Sequence, residues 1–282
     1  GTVSHNIILA TGDFDNEFKP GTRNLSGRAL GDWYRIEGSW TGSYSWSDSV
    51  TVRSADSNLW SPFSNFGNPD DLGPAEFVEV GPTSFAGLHE NSEATIGFTS
   101  TLNDVELNLR RRLRIKRIGA LKERRYAMGE ASFLVGLRYV NIDEQFHYTT
   151  VSDVATTTLD INADNDMFGV QLGYLAQILV QDRGWIDVDI KGAVLFNEAG
   201  QSTAFYNDFD PVTDVAFGAD EQRTAFLGDL SVTYNYQIAP SFTFRAGYNG
   251  MFLTGVALAV DNFNSNLDQL ENGPAQVVHD GD

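Results

Sequence analysis

The sequence contains no cysteine, which excludes disulfides, thiolate metal centres and cysteine nucleophiles together. It has no run of roughly 18 apolar residues, so a helical membrane span is excluded as well. Basic side chains are scarce, 19 against 38 acidic ones, and the formal charge of −19 argues against nucleic acid as a partner. The N-terminus shows no charged start followed by an apolar run, so a secretory signal is expected to be removed or absent from this chain. What the 282 residues do hold is 41% hydrophobic and 12% aromatic side chains with 27 glycines, a composition that folds.

The organising signal is period two. Tyr34, Ile36, Gly38, Trp40, Gly42, Tyr44, Trp46, Val50 and Val52 share one parity, and Arg35, Glu37, Ser39, Thr41, Ser43, Ser45, Ser47, Ser49 and Thr51 share the other. A two-residue hairpin would flip the parity beyond it, and parity is kept across Gly42-Ser43, so the pattern predicts one long strand. The same alternation recurs at residues 105–115, 132–139, 168–180, 186–197, 229–238 and 241–252, giving seven strands. These runs exceed the usual strand of about 5 to 6 residues and fit a bilayer crossing of about 9 to 11. A soluble β-sandwich also alternates, but its strands are shorter. The reading is an all-β, antiparallel transmembrane β-barrel forming a single domain over 1–282. About eight strands are expected, with ten to twelve as the upper range.

Connections alternate in length. Long ones are expected at Arg53–Thr101, Asp143–Asp166 and Glu198–Arg223, a moderate one at Arg117–Gly129, and tight ones at Gln181–Gly184 and Ala239-Pro240. Short turns belong on the periplasmic side and long acidic loops outside. Ala155–Ile161 is expected to add a ladder rung outside the membrane. Strands lie mainly within 31–260; residues 261–282 are loop-like, so closure is expected either from a strand beyond this chain or from residues 1–30.

Several phrases have a familiar order: VELNLRRRL at 105–113, FLVGLRYVNIDEQFHY at 133–148, NDMFGVQLG at 165–173, DIKGAVLFNEA at 189–199 and FRAGYNGMFLTGVALA at 244–259. Together they resemble the planctomycete beta-barrel porin family over roughly Gly31 to Val260. The resemblance implies an outer-membrane barrel of a Gram-negative-type cell envelope with a pore role, and it supplies no catalytic residues. The ends depart from the family pattern: no signal peptide and no final aromatic-ended strand are visible.

Nine of the basic residues fall between Arg110 and Arg125. On the polar parity, Glu106, Arg110, Arg112, Arg114, Arg138, Asp187, Asp189, Lys191, Asp229 and Arg245 are expected to face the lumen, either as a structural salt-bridge network or as a charged constriction. On the apolar parity, Tyr34, Trp40, Tyr44, Trp46, Phe168, Tyr174, Phe196, Tyr234, Tyr236, Phe242, Phe244, Tyr248 and Phe252 are expected to face lipid. Arg111 and Arg117 are expected to reach headgroups by snorkelling.

Acidic clusters occur at Asp13, Asp15 and Asn16; at Asp70 and Asp71; at Asp160, Asp164 and Asp166; and at Asp208, Asp210 and Asp214. None fits the twelve-residue calcium loop with its closing Glu, so no metal and no cofactor is expected. His5, His89, His147 and His279 lie far apart, GxSxG and HExxH are missing, and the carboxylate pairs Asp143-Glu144 and Asp220-Glu221 have no evident base, so no enzyme is expected. The function expected is a passive porin-like channel for small solutes or ions, with a structural or adhesive envelope protein with a plugged lumen as the alternative. Partners are outer-membrane lipid, other copies of the chain or other envelope proteins, and no nucleic acid.

Overall fold

A computed structural model describes residues 9–14, 21–62, 88, 90–113, 127–181, 183–208, 215–263 and 277–278. Eight antiparallel strands follow one another in chain order in one sheet. They are β1 (Thr22–Leu30), β2 (Tyr34–Arg53), β3 (Glu93–Leu113), β4 (Ala127–Val151), β5 (Thr156–Gln181), β6 (Gly184–Asn207), β7 (Val215–Ala239) and β8 (Phe242–Thr254). The sheet curls into a half-barrel, so that inner-face side chains of β3 touch those of β6, and those of β4 touch β7. Among the described residues β1 pairs only with β2 and β8 only with β7.

The eighth strand comes from residues 22–30, inside the 1–30 segment named as one closure route, but among the described residues it does not close the sheet. It extends the sheet beyond β2 rather than closing it onto β8. Its pattern is weak because the face it shares with Trp40 and Ile36 reads Asn24, Ser26 and Arg28.

Two expected long loops are strands. Asp143–Asp166 holds the upper halves of β4 and β5, joined only by residues 152–155, and Glu198–Arg223 holds those of β6 and β7. The physical reason is an inversion of polarity within each strand. On β4 the outer face runs Phe133, Val135, Leu137, Tyr139 and then Asn141, Asp143, Gln145, His147, Thr149, while the inner face runs through Arg138 to Val140, Ile142, Phe146 and Tyr148. On β5 the outer face changes at Phe168/Asp166, on β6 at Phe196/Glu198 and on β7 at Phe226/Thr224. Alternation continues through these points with its faces exchanged, as in a sheet leaving hydrocarbon for water. The acidic residues Asp160, Asp164 and Asp166 therefore sit on a strand, and Asp13 lies in a short 3-10 turn, Thr11–Asp13. Asp15, Asn16, Asp70, Asp71, Asp210 and Asp214 lie outside the described residues.

The run from Tyr34 to Arg53 is one strand but not one face. Thr41 pairs with Asp104 and Tyr44 with Leu102, a shift of one residue that marks a β-bulge at Gly42-Ser43. Beyond the bulge the even residues change sides. Trp40 remains on the outer face, whereas Tyr44 and Trp46 stack on the inner face at 5.7 Å, which corrects their expected lipid-facing position. Parity in the sequence survived because the bulge and the polarity inversion occur at the same place and cancel.

Candidate functional site

Where the outer face is apolar, the inner face is charged and hydrogen-bonded. Arg138 on β4 is 1% exposed and binds Asp104 of β3 through two bonds, Nε to Oδ1 at 2.9 Å and Nη2 to Oδ2 at 2.6 Å. Its Nη2 also donates to Asp229 of β7 at 3.3 Å, and its Nη1 to Gln171 of β5 at 3.4 Å. Lys191 of β6 reaches across to both oxygens of Glu106 on β3, at 2.9 and 2.8 Å, with Asp229 at 3.9 Å. Gln171 donates to Glu106 at 2.9 Å and to Asn108 at 2.7 Å. Gly136 leaves the space this requires, since a Cβ there would collide with the Asn108 side chain.

One step nearer the short turns, Arg110 joins Glu37 at 2.9 Å, Ser132 at 3.2 Å and Asp189 at 3.4 Å. Arg23 approaches Glu106 at 3.8 Å. A separate cluster links Asp187, Asn235 and Arg245: Asn235 donates to Asp187 at 2.9 Å, and Arg245 Nε to Asn235 at 2.8 Å. Arg112 pairs with Glu130 at 2.5 Å in a more open position. Arg114 and Arg117 lie outside the described residues.

The structure thus gathers Glu106, Arg110, Arg138, Asp189, Lys191 and Asp229 into one network and leaves Asp187 with Arg245 beside it. Glu37, Asp104, Asn108 and Gln171 belong to the network and were not singled out by sequence. Glu37 and Asp104 were accessible in principle, because each occupies the same parity as the charged residues on its strand.

The outer belt has an aromatic edge. Trp40, Val105, Tyr139, Phe168 and Phe196 are successive cross-strand partners in a single row. Phe226 on β7 lies two residues from that register, and Phe252 on β8, opposite Gly228, four residues from it. The next row above holds Asn103, Asn141, Asp166 and Glu198. Tyr34, Tyr174, Tyr234, Tyr236, Phe242, Phe244 and Tyr248 lie on the same outer face nearer the short turns. At that end the Arg111 guanidinium sits 5.9 Å from the Tyr34 ring centroid, adjacent to the turn at 31–33.

Beyond the aromatic row the inner face becomes a packed apolar core. Val140, Met167, Leu195, Ala225 and Leu227 form one layer with Val256, and Ile96, Phe146, Tyr148, Leu159, Ile161 and Phe205 form the next with Ala257 and Ala259. Between them stand three buried polar residues, Glu144, Asn165 and Asn197. Burial pushes the Glu144 carboxyl above its ordinary value, with Asp261 adding to the shift and bonds from Ala259 and Ser100 opposing it. Asp164, on the outer face, is likewise raised, by partial burial and by Asp143 and Asp166.

No group of three or more metal-ligating side chains occurs among the described residues. The inner network joins Arg23, Arg110, Arg138 and Lys191 to Glu37, Asp104, Glu106, Asp189 and Asp229, with the amides of Asn108 and Gln171 bonded to Glu106 and Oδ1 of Asp189 left without a partner among the described residues. Residues 5–281 match the family model described as "Putative beta barrel porin-7" (BBP7). None of the curated proteins compared matches the chain.

Proposed function

The chain belongs to the beta barrel porin-7 family, and on that premise we propose that it is an outer-membrane channel wall for passive passage of small polar solutes or ions, acting in transport across a Gram-negative envelope, planctomycete by resemblance, and not as an enzyme. The observation that carries this reading is the division of each strand's faces. Seven strands present an apolar, aromatic-edged outer surface opposite an inner surface of ion pairs, the arrangement that a lipid-embedded sheet around a polar interior requires. Among the described residues β1 and β8 are the two edges, and the belt's backbone groups there need strand partners in hydrocarbon. Lipid along the belt and neighbouring copies or other envelope proteins along these edges are therefore the partners under this reading.

Selectivity follows from charge. The inner cations are mostly engaged by carboxylates, and the chain as a whole carries −19, so a modest preference for cations is expected. The test is swelling of liposomes reconstituted with the folded protein. Small neutral sugars and small cations entering faster than into protein-free liposomes supports the reading; no difference for any solute overturns it.

One observation favours a second reading, a structural or adhesive envelope protein with a plugged lumen. Arg138 and Lys191 are buried in their network, and Val256–Ala259 is packed inside the upper half of the sheet. Silent but correctly folded protein would select it.

A further inference from the structure

The row of Glu144, Asn165 and Asn197 does something the channel reading does not use. One residue comes from each of β4, β5 and β6, all on the inner face, and all three bind main-chain groups rather than side chains of the opposite wall. Asn197 Nδ2 donates to the carbonyl of Gly255 at 2.9 Å. Asn165 meets Ala257 twice, its Nδ2 donating to the carbonyl at 2.7 Å and its Oδ1 accepting from the N–H at 2.8 Å. Glu144 Oε2 accepts from the N–H of Ala259 at 3.1 Å. Asn197 and Asn165 are themselves joined at 3.0 Å. Residues 255, 257 and 259 alternate as they do along a strand, and the Asn165 amide serves Ala257 as a neighbouring peptide unit would.

The segment so held has left the sheet. β8 stops at Thr254, opposite Phe226, while β7 continues to Val215. The upper part of β7, residues 215–225, therefore has a ladder partner on one side only among the described residues. The departure occurs at Gly255, whose φ of +78° suits glycine, and a Cβ there would lie 2.7 Å from the Thr224 carbonyl. Beyond it, Ala257 and Ala259 are fully buried among larger inner-face side chains. Asn262 then ties the segment to itself and to Val278.

We propose that Glu144, Asn165 and Asn197 form a recognition site for an extended main chain, and that Gly255–Phe263 occupies it as a displaceable strap across the end of the pore remote from the short turns. Outside the interior row, residues 215–225 of β7 pair with β6 and with no second strand among the described residues. Asn165, Asn197 and Glu144 hold the strap through two neutral amides and one carboxylate that accepts from an N–H, so these bonds release without separating an ion pair. This rests on the channel reading for its consequence, passage when the strap is out, but not for its geometry.

The chain has no cysteine, so Ala259→Cys gives a single reporter. Folded protein in lipid vesicles is treated with a membrane-impermeant maleimide, alone and with Asn165→Ala or Asn197→Ala added. Slow labelling that rises at least tenfold in either second variant supports the strap; equal rates in all three overturn it. Amide hydrogen exchange of the unaltered protein covers variants that fail to fold. Ala257 and Ala259 exchanging at least a hundredfold faster than buried ladder amides of β5 supports separate opening, and exchange at the ladder rate refutes it. Faster labelling with bilayers still silent leaves the strap standing and removes the channel.

Discussion

The phenol of Tyr139 donates to the carboxylate of Asp166 at 2.5 Å across the β4–β5 ladder, joining the last outward aromatic of one strand to the first outward acid of the next. This bond lies on the line where the sheet's outer face changes from apolar to acidic. Below it the strands have lipid-compatible exteriors and charged interiors; above it they have water-compatible exteriors and apolar interiors.

A charge placed on the outer face should therefore cost different amounts on the two sides of that line. Val170→Arg lies within the belt and is expected to destabilise folding into bilayers by about 2–4 kcal/mol. Asn162→Arg lies on the same face of the same strand, above the line, and should change stability by less than about 0.5 kcal/mol. Urea unfolding from vesicles compares the two, and equal costs would place the boundary elsewhere.

The bulge at Gly42-Ser43 separates two tryptophans that sequence parity puts together. Brominated lipid should quench Trp40, on the outer face, and spare Trp46, on the inner face. Trp40→Phe is expected to reduce the quenchable fluorescence, and Trp46→Phe to leave it unchanged. The reverse result would deny the face change.

Arg138 holds Asp104 and Asp229 in a site almost closed to water. Arg138→Met leaves Asp104 without its bonded cation and Asp229 with only Lys191 at 3.9 Å, and is expected to cost about 3–5 kcal/mol, because breaking a buried pair leaves an uncompensated charge. Replacing both carboxylates as well, Asp104→Asn with Asp229→Asn, should recover most of that loss. Denaturant midpoints of the single and triple variants measure it, and additive losses would show that the network carries no coupling.

Much of this was legible in the sequence, and the part that was not has a common cause. The run Phe168 to Val180 announces its strand because the outer residues are apolar and the inner ones mixed. Asp160 to Asp166 looks like a loop because carboxylates and amides occupy the outer parity. Yet Leu159, Ile161, Ala163 and Met167 alternate beneath them and form a core. A single polarity rule applied along the whole strand misses a strand whose two faces exchange polarity along its length. The network's charged members were readable one by one from parity, but their pairing was not. Contacts such as Lys191 to Glu106 depend on how tightly the sheet curls, which alternation does not encode. The amide row of Asn165 and Asn197 carried no signal, since isolated asparagines on a strand read as ordinary polar residues.

Glu144 gives the stability of the fold a pH dependence of definite sign. Burial raises its carboxyl above the ordinary value of 4.5. The stability it contributes is therefore full below the unfolded-state value and is lost as pH rises through the folded-state value. The fold is expected to be firmer in acid, so the denaturant midpoint should fall as pH climbs out of the acidic range. Glu144→Gln should flatten that profile. A profile unchanged by the substitution would assign the dependence to another group.

Single-channel recording in a planar bilayer under a salt gradient tests the central claim most directly, that this curved sheet walls a membrane pore. The account predicts discrete conductance steps with a modest cation preference, more frequent or larger in Asn165→Ala and Asn197→Ala protein than in the unaltered chain. Persistent silence from folded, bilayer-inserted protein, in the strap variants as well, would contradict it.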